Sequence, residues 1–118
     1  PSDIQYINAH GTGTVNNDAS ESMAMKRLFG NYLPPVSSTK SFTGHTTSAS
    51  GSIESVICLL ALQQQFLPIN LNWRFPMEEG VIPNMEDKSE RTIEHILCNS
   101  FGFGGNDSSL LFSKYHPV

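Results

Sequence analysis

The segment 47–65 restricts the possible folds most strongly, because it is predicted to be a helix that is apolar on nearly every side. Ile53, Val56, Ile57 and Leu60 recur at helical spacing, and further apolar residues fill the opposite side. A helix of this kind is normally buried all round. The small residues at its start permit close backbone approach. We therefore expect this helix to lie in the interior of the folded protein.

Short strands alternate with helices along the chain. The order β-α-β-α-β-β predicts an α/β fold whose sheet is parallel at first and ends in an antiparallel hairpin. Residues 66–73 are predicted to be extended. Residues 74–89, which contain two prolines, a glycine and several acidic side chains, are predicted to form a surface loop. The strands are predicted at residues 4–8, 36–39, 92–99 and 108–113.

The first helix is predicted to begin at residues 16–18, where Asp18 and Glu21 have the spacing of a capping box. It is predicted to end near Gly30, because two prolines at positions 34 and 35 prevent its continuation. Its apolar side is predicted to consist of Ala19, Met23, Ala24 and Leu28.

The composition is that of a globular domain with few charges. Of the 118 residues, 38% are hydrophobic and 15% are charged, and the net charge is −4. The seven Lys and Arg residues are scattered, which argues against a nucleic-acid partner. The apolar run 53–62 is interrupted by Glu54 and Ser55 and is too short to span a membrane. Cys58 and Cys98 are predicted to be buried free thiols, which favours a reducing, cytoplasmic setting.

The first residues already have the pattern of a strand. No initiating Met precedes Pro1. We therefore expect residues 1–118 to form one domain of a longer protein.

Three polar segments that contain glycine lie at the ends of predicted strands. Ligand sites in open α/β sheets gather at the carboxyl ends of strands, so the three segments are expected to meet in space. They are Asn8-Ala9-His10-Gly11-Thr12-Gly13-Thr14, Ser38-Thr39-Lys40-Ser41-Phe42-Thr43-Gly44-His45 and Asn99-Ser100-Phe101-Gly102-Phe103-Gly104-Gly105-Asn106.

In this order the segments resemble the C-terminal part of the β-ketoacyl-(acyl carrier protein) synthases, type II-like members of the thiolase superfamily. That part has a His-Gly-Thr-x-Thr loop, a Lys about thirty residues on, a second His five residues later, and a Phe-Gly-Phe-Gly-Gly loop near its end. Lys40 lies thirty residues after His10 and five before His45. The resemblance covers nearly the whole chain. It implies a thiolase-like half, in which three layers contain a mixed five-stranded sheet and a central buried helix, and the last strand is antiparallel.

The resemblance implies that the parent protein is an acyltransferase of lipid metabolism or polyketide synthesis. Such an enzyme catalyses a decarboxylative Claisen condensation of malonyl-carrier protein with an acyl thioester on an active-site Cys. The phosphopantetheine arm comes with the acyl carrier protein, so no separate cofactor is expected. The nucleophile belongs to the N-terminal half, and neither Cys58 nor Cys98 has the strand-to-helix elbow that it needs. The isolated chain is therefore expected to be inactive, and the N-terminal half and a second copy of the chain are expected partners.

The resemblance also assigns roles to single residues. His10 and His45 would donate hydrogen bonds to the developing enolate oxygen. Lys40 would hold a positive charge nearby, which keeps the histidines neutral, and a buried ammonium needs a partner. The family places a Glu near this Lys, and Glu21 is therefore predicted to pair with Lys40.

Five further positions match the family's substrate-binding loops. Thr12 and Thr14 would bind the amides of the phosphopantetheine arm. Phe103 would act as a gate, and the neighbouring Gly104 would let its loop swing. Phe101 is assigned to the same substrate-binding loop, although a role as a plain core aromatic is an alternative.

The sequence departs from the family pattern in three places. Ser48 stands where a glycine is common. Asp107 follows Asn106 and brings an extra carboxylate near the expected site. The chain also begins after the first strand and helix of the family's C-terminal half.

Other functions remain open. A non-catalytic partner subunit, similar to a chain-length factor, need not retain the full His10, Lys40 and His45 set. A ketosynthase domain of a polyketide synthase and a stand-alone module that binds acyl-pantetheine are further alternatives. A zinc site is disfavoured, because the histidines and cysteines lack the paired short spacings of structural zinc sites.

Overall fold

The computed structural model describes all 118 residues as a four-stranded mixed sheet with a long helix on each face. The strands are β1 (Tyr6–Asn8), β2 (Val36–Ser37), β3 (His95–Phe101) and β4 (Asp107–Ser113). Their order in the sheet is β2-β1-β3-β4. Strand β1 runs parallel to both β2 and β3, and β4 runs antiparallel to β3, as predicted.

Three α-helices connect and cover these strands: α1 (Val15–Phe29), α2 (Lys40–Thr43) and α3 (Ser50–Gln64). A single 3-10 turn follows α1, and another precedes α3. None of these helices has the length and apolar character needed to cross a membrane.

The sheet has four strands in this chain and not the five that the resemblance implies. Residues 66–73 do not join it, because their bonded amides donate to groups outside the sheet. The Asn70 amide donates to the Asn84 carbonyl at 2.8 Å. The Leu67 amide donates to the Asp87 carboxylate at 2.6 Å, and the Leu71 amide donates to the Ser41 hydroxyl at 3.0 Å. Residues 74–89 contain no helix or strand, as predicted.

Alternate residues of β1 enter two separate cores, which gives the three layers. Tyr6 packs in the cluster under α3, and Ile7 packs in the cluster under α1. Successive side chains of a strand point to opposite faces, so three residues suffice to anchor both helices. The α3 cluster contains Cys58, Ala61, Leu62, Leu67, Ile93, Ile96 and Cys98, and the α1 cluster contains Ala9, Met25, Phe29 and Val36.

Helix α1 ends as predicted but begins and packs differently. Gly30 has a φ of 58° and terminates it. The cap at its start is Thr14, whose hydroxyl accepts a hydrogen bond from the Asn17 amide at 3.3 Å, and not Asp18. The predicted apolar side is wrong, because Met23 and Leu28 are exposed. The buried face consists of Glu21, Ser22, Met25 and Phe29.

Helix α3 is covered on one face only within this chain. Cys58, Ala61 and Leu62 face the sheet and are buried, whereas Val56 and Leu59 remain 56% and 51% exposed. The expectation of a helix buried all round is therefore not met by these 118 residues. The segment 47–49, predicted to open the same helix, forms the 3-10 turn before it.

Candidate active site

His10, Lys40 and His45 meet at the edge of the sheet where β1 and β2 end. His10 follows β1 by two residues, Lys40 opens α2 just after β2, and His45 follows the end of α2. Gly44, with a φ of 69°, ends α2 and turns the chain toward His45. The gathering of these three residues, which the sequence predicted, follows from the parallel pairing of β1 with β2.

Lys40 is buried and forms an ion pair with Glu54 of α3. This corrects the predicted pairing of Lys40 with Glu21. The sequence did contain a signal, since Glu54 is the single charged residue of a helix rich in apolar residues, and a buried carboxylate requires a partner. Ser50, one turn before Glu54, donates a further hydrogen bond to its carboxylate at 3.4 Å.

Glu21 instead holds the backbone of the His10 loop. Its two carboxylate oxygens accept from the amides of His10 at 2.9 Å and Gly11 at 3.0 Å. Ser38 holds the other side of the loop, where its hydroxyl donates to the Gly11 carbonyl at 2.9 Å. The sequence pattern did not identify Ser38, because a serine at a strand end has no signature of its own.

The surroundings of His10 fix it as a neutral ring. Burial, together with the positive charge of Lys40 and the neighbouring His45, lowers the pKa of His10 from 6.5 to about 4. Lys40 Nζ lies 3.4 Å from His10 Nδ1. Because an ammonium only donates, Nδ1 must accept, and the ring proton of neutral His10 resides on Nε2.

His45 reaches the same tautomer by a different contact. Its Nδ1 accepts a hydrogen bond from the Thr47 amide at 3.0 Å, so the neutral ring carries its proton on Nε2. The rings of His10 and His45 lie 5.7 Å apart and nearly perpendicular, at 87°. No protein group accepts from Nε2 of either ring, so both N–H groups are available to an incoming oxygen.

The two phenylalanines of the Phe-Gly-Phe segment occupy different positions. Phe101, at the end of β3, packs against His10 with the ring centres 5.5 Å apart. Phe103 is fully exposed in the loop between β3 and β4. Gly104 and Gly105 in this loop have φ angles of 85° and 88°, which residues other than glycine rarely adopt. Phe101 therefore touches the site, and Phe103 does not in this conformation.

A groove of about 500 Å³ runs from Lys40 and His45 along α1. Thr12 lines it, whereas Thr14 does not, and the Thr14 hydroxyl caps α1. The Thr12 hydroxyl donates to the Asn17 side-chain oxygen at 3.1 Å. The far wall comes from the predicted surface loop and its approach, which sequence reasoning did not connect with the site: Asn70, Leu71, Asn72, Trp73, Phe75, Met77, Gly80, Val81 and Pro83.

Both cysteines are free thiols buried in the α3 cluster, away from the groove. Contact with Cys98 and burial raise the pKa of the Cys58 thiol, so it is held as an unreactive thiol. No group of three or more His, Cys, Asp or Glu side chains is arranged to hold a metal ion.

Known proteins are similar to this chain in sequence and in fold. The family model for the β-ketoacyl synthase C-terminal domain matches residues 1–74. The chain belongs to the β-ketoacyl synthase family. It is 40% identical over 115 residues to 3-oxoacyl-[acyl-carrier-protein] synthase 1 of Haemophilus influenzae and 42% identical over 118 residues to synthase 2 of Vibrio cholerae. These matches cover 96% and 94% of the chain but 28% of each relative.

Solved structures of the family have the same fold. A type II polyketide synthase ketosynthase, in complex with its acyl-carrier protein and bound to the hexaketide, matches 98% of the chain with a TM-score of 0.88 and 32% identity. The chain corresponds to 29% of that ketosynthase chain. The thiolase-like fold and the membership in the family, both expected from the sequence, are confirmed.

Two of the three departures from the family pattern bear on the surroundings of the histidines. Ser48 sits exposed in the 3-10 turn before α3, and Thr47 beside it has a φ of 51°. Asp107 opens β4 and pairs with Phe101 across the hairpin. Its negative charge opposes the lowering of the pKa of His10. Asp107 therefore bears on the site electrostatically, whereas Ser48 is part of the turn that also supplies the Thr47 amide to His45.

Proposed function

We propose that this chain supplies the decarboxylation and condensation residues of a β-ketoacyl synthase. The substrate would be malonyl-carrier protein, and the second reactant an acyl group held as a thioester on a cysteine outside these 118 residues. The observation that carries the proposal is the tautomer pair. His10 and His45 both bind through Nδ1, and both leave Nε2–H free, with the rings 5.7 Å apart.

The reaction needs donors where negative charge develops. When the malonyl group loses CO2, the electron pair of the broken carbon–carbon bond passes into an enolate, and the thioester oxygen becomes negative. Two preorganised N–H groups stabilise that oxygen far better than mobile water does. The enolate carbon then attacks the acyl thioester, forms the new carbon–carbon bond and expels the cysteine sulfur as a thiolate.

Lys40 keeps His10 in the donating form. Its ammonium occupies the Nδ1 side of the ring and disfavours a proton there, so the remaining ring proton stays on Nε2. Glu54 neutralises Lys40 in the buried site and holds its position. Lys40 thus acts on the reaction through His10.

The carrier's phosphopantetheine arm would approach through the loops around the groove. The Thr12 hydroxyl lies in the groove wall, and the Thr14 hydroxyl lies 3.3 Å from it. Phe103 and Gly104 would move as a gate beside Phe101, since the two positive-φ glycines permit such a change. The arm comes with the acyl carrier protein, so the synthase would need no cofactor of its own.

The chain would act as part of a larger assembly. Its partners would be the acyl carrier protein, the N-terminal half of the synthase and a second copy in a homodimer. We place the reaction in the cytoplasm, because both cysteines are free thiols, which a reducing compartment preserves. Either fatty-acid or polyketide synthesis is compatible with the site.

The test uses the complete synthase with His10→Ala and His45→Ala. We expect each variant to release CO2 from malonyl-carrier protein at least about 100-fold more slowly, because removing one oxyanion donor has effects of that size. Acylation of the cysteine, followed by mass spectrometry, should change much less. His95→Ala is the control, since His95 bonds to Ser113 on β4, away from the site.

Two results would contradict the proposal. One is unchanged CO2 release in both histidine variants. The other is condensation by residues 1–118 alone, since the proposal assigns the nucleophile to another part of the protein. A cysteine at the elbow of the N-terminal half would separate this function from that of a chain-length-factor-like subunit.

A further inference from the structure

We infer that Asn99 and Ser109 are positioning residues for His10, acting through the buried carboxylate of Glu21. The inference rests on the proposed condensation and adds two residues to its machinery. Neither residue touches the histidines. Both stand in the β3–β4 hairpin. They lie 89 and 99 residues after His10 in the chain, but β3 is adjacent in the sheet to β1, which leads into His10.

Glu21 is the point where the separate parts of the site are tied together. Its side chain is 3% exposed and receives four N–H donors. The His10 and Gly11 amides bind at 2.9 and 3.0 Å, and the side-chain amides of Asn17 and Asn99 bind at 3.4 and 3.3 Å. No cation touches this carboxylate, so these four N–H groups are its polar partners.

The orientation of the Asn99 amide follows from the chemistry of its neighbours. A carboxylate only accepts, so Asn99 must turn its NH₂ group toward Glu21. Its side-chain oxygen then faces away, and there the Ser109 hydroxyl donates to it at 2.8 Å. Asn99 and Glu21 are 5% and 3% exposed, so water cannot readily replace this contact, whereas Ser109 lies at the exposed side of the line.

Ser109 belongs to the strand that holds the Phe103 loop. It pairs directly with Asn99 in the β3–β4 ladder, and Phe101 and Asp107 form the last pair of the same ladder. The line of contacts from Ser109 through Asn99 and Glu21 therefore ends on the backbone of His10. It fixes the His10 loop against the hairpin that carries the proposed gate.

A shift of this line would misplace the His10 ring without removing it. The enolate oxygen must meet Nε2–H within hydrogen-bond distance, and an error of about 1 Å in such an arrangement can reduce the rate about 100-fold. Supporting residues outside the reacting atoms set that precision.

The experiment compares four variants of the complete synthase. Asn99→Asp keeps the shape but sets a carboxylate oxygen against Glu21. Ser109→Ala removes the hydroxyl, and Ser109→Thr restores it on a residue well suited to a strand. Asn84→Asp is the matched control, because Asn84 is a half-buried asparagine whose amide binds the Pro68 carbonyl and which lies outside the groove.

We expect Asn99→Asp to lower kcat for CO2 release from malonyl-carrier protein about 10- to 100-fold, with KM within about twofold. Ser109→Ala should lower kcat about three- to tenfold, and Ser109→Thr should recover most of it. Acylation of the cysteine should stay within about twofold in all variants, because it does not use His10 as the enolate donor. Asn84→Asp should leave both steps unchanged.

A different pattern overturns the inference. If Asn99→Asp slows acylation and CO2 release equally, or slows neither, the line of contacts supports the fold and not the placement of His10. The same conclusion follows if Ser109→Thr fails to restore what Ser109→Ala loses. Failure of the proposed function is distinguishable, since then the unsubstituted synthase would release no CO2 from malonyl-carrier protein.

Discussion

Glu54 makes the buried charge of Lys40 tolerable, and this dependence gives a prediction at the scale of single residues. Glu54→Ala leaves an ammonium without a partner inside the protein, which should reduce the free energy of unfolding by about 3–5 kcal/mol. Removing both charges, with Lys40→Met and Glu54→Leu together, should recover most of this loss. Urea denaturation at one fixed protein concentration measures both effects.

The matched control is the exposed pair Lys88 and Glu86. Glu86→Ala should change the free energy of unfolding by less than about 1 kcal/mol, because surface ion pairs contribute little. A Glu54→Ala variant as stable as Glu86→Ala would show that Lys40 does not need this partner.

The titration of His10 gives a second prediction. Its pKa of about 4 in the folded protein lies below its usual 6.5, so the unfolded chain binds more protons between these values. Folding stability supplied by neutral His10 is therefore complete above pH 6.5 and declines as the pH falls toward 4. Lys40→Met should raise the pKa of His10, because it removes a neighbouring positive charge.

Histidine NMR titration of the complete synthase checks both statements. The His10 ring should titrate near pH 4, and Lys40→Met should move its midpoint to a higher pH. Lys88→Met should leave the midpoint in place, since Lys88 is exposed and lies outside the site. A midpoint near 6.5 in the unsubstituted protein would contradict the assigned environment.

The sequence predicted those site residues whose neighbours along the chain form a recognisable motif. His10, Lys40 and His45 stand in such segments at strand ends, and the parallel pairing of β1 with β2 brings these ends together. The predicted partner of Lys40 was wrong because the chain has two buried carboxylates, Glu21 and Glu54, and the sequence motif does not distinguish them. Only the packing of α3 on β3 brings Glu54, and not Glu21, to the ammonium.

At the scale of elements, the turn between β1 and α1 depends on the absence of a side chain at Gly11. This residue has a φ of 47°, and an added Cβ would lie 2.4 Å from Cβ of Ser38 on the neighbouring segment. Gly11→Ala should therefore combine backbone strain with overlap, at a total cost of about 2–5 kcal/mol. It should also displace the His10 loop and slow CO2 release.

A substitution at Gly13, two residues on, distinguishes backbone strain from steric overlap. Its φ of 78° is also positive, but an added Cβ would meet nothing within 4 Å. Gly13→Ala should cost only the strain, about 1–2 kcal/mol. Thermal unfolding and CO2 release measured on both variants check this. Equal losses at the two positions would show that the approach of Ser38 does not matter.

Helix α1 shows why element packing was harder to predict than element existence. Gly30 fixed its end, because a positive φ there needs glycine. Its buried side was ambiguous from sequence, since both Met23 and Met25 offered apolar positions. The His10 and Gly11 amides need a buried acceptor, and the Glu21 carboxylate provides it. The face of α1 that carries Glu21 is therefore the buried one, and Met25 and Phe29 lie on that face.

At the scale of the whole molecule, the order of elements predicted the parallel sheet and the final hairpin correctly. The strand count of five came from the resemblance and not from the residues, which supply four strands. The burial of α3 was also overestimated. An apolar helix indicates that its faces are buried, but the sequence does not say whether residues of the same chain bury them.

The open face of α3 gives the last prediction. Val56, Leu59 and Leu60 are 56%, 51% and 40% exposed. Leu110 of β4 is 51% exposed and pairs with Cys98, whose side chain packs under α3, so Leu110 lies on the same side of the sheet. Exposed apolar surface of this kind marks an interaction site, and residues 1–118 alone should self-associate at micromolar concentrations.

Sedimentation velocity over a range of concentrations measures this association. Leu59→Lys should shift the chain toward the monomer, because burying an ammonium in the contact is unfavourable. Leu28→Lys is the control, since Leu28 is 57% exposed but lies on α1, across the sheet from α3. If the unsubstituted chain sediments as a monomer, or if Leu28→Lys weakens association as much as Leu59→Lys does, the α3 face is not the contact. If only Leu59→Lys disperses the chain, the surface that it disrupts is the one that we expect another part of the synthase to cover.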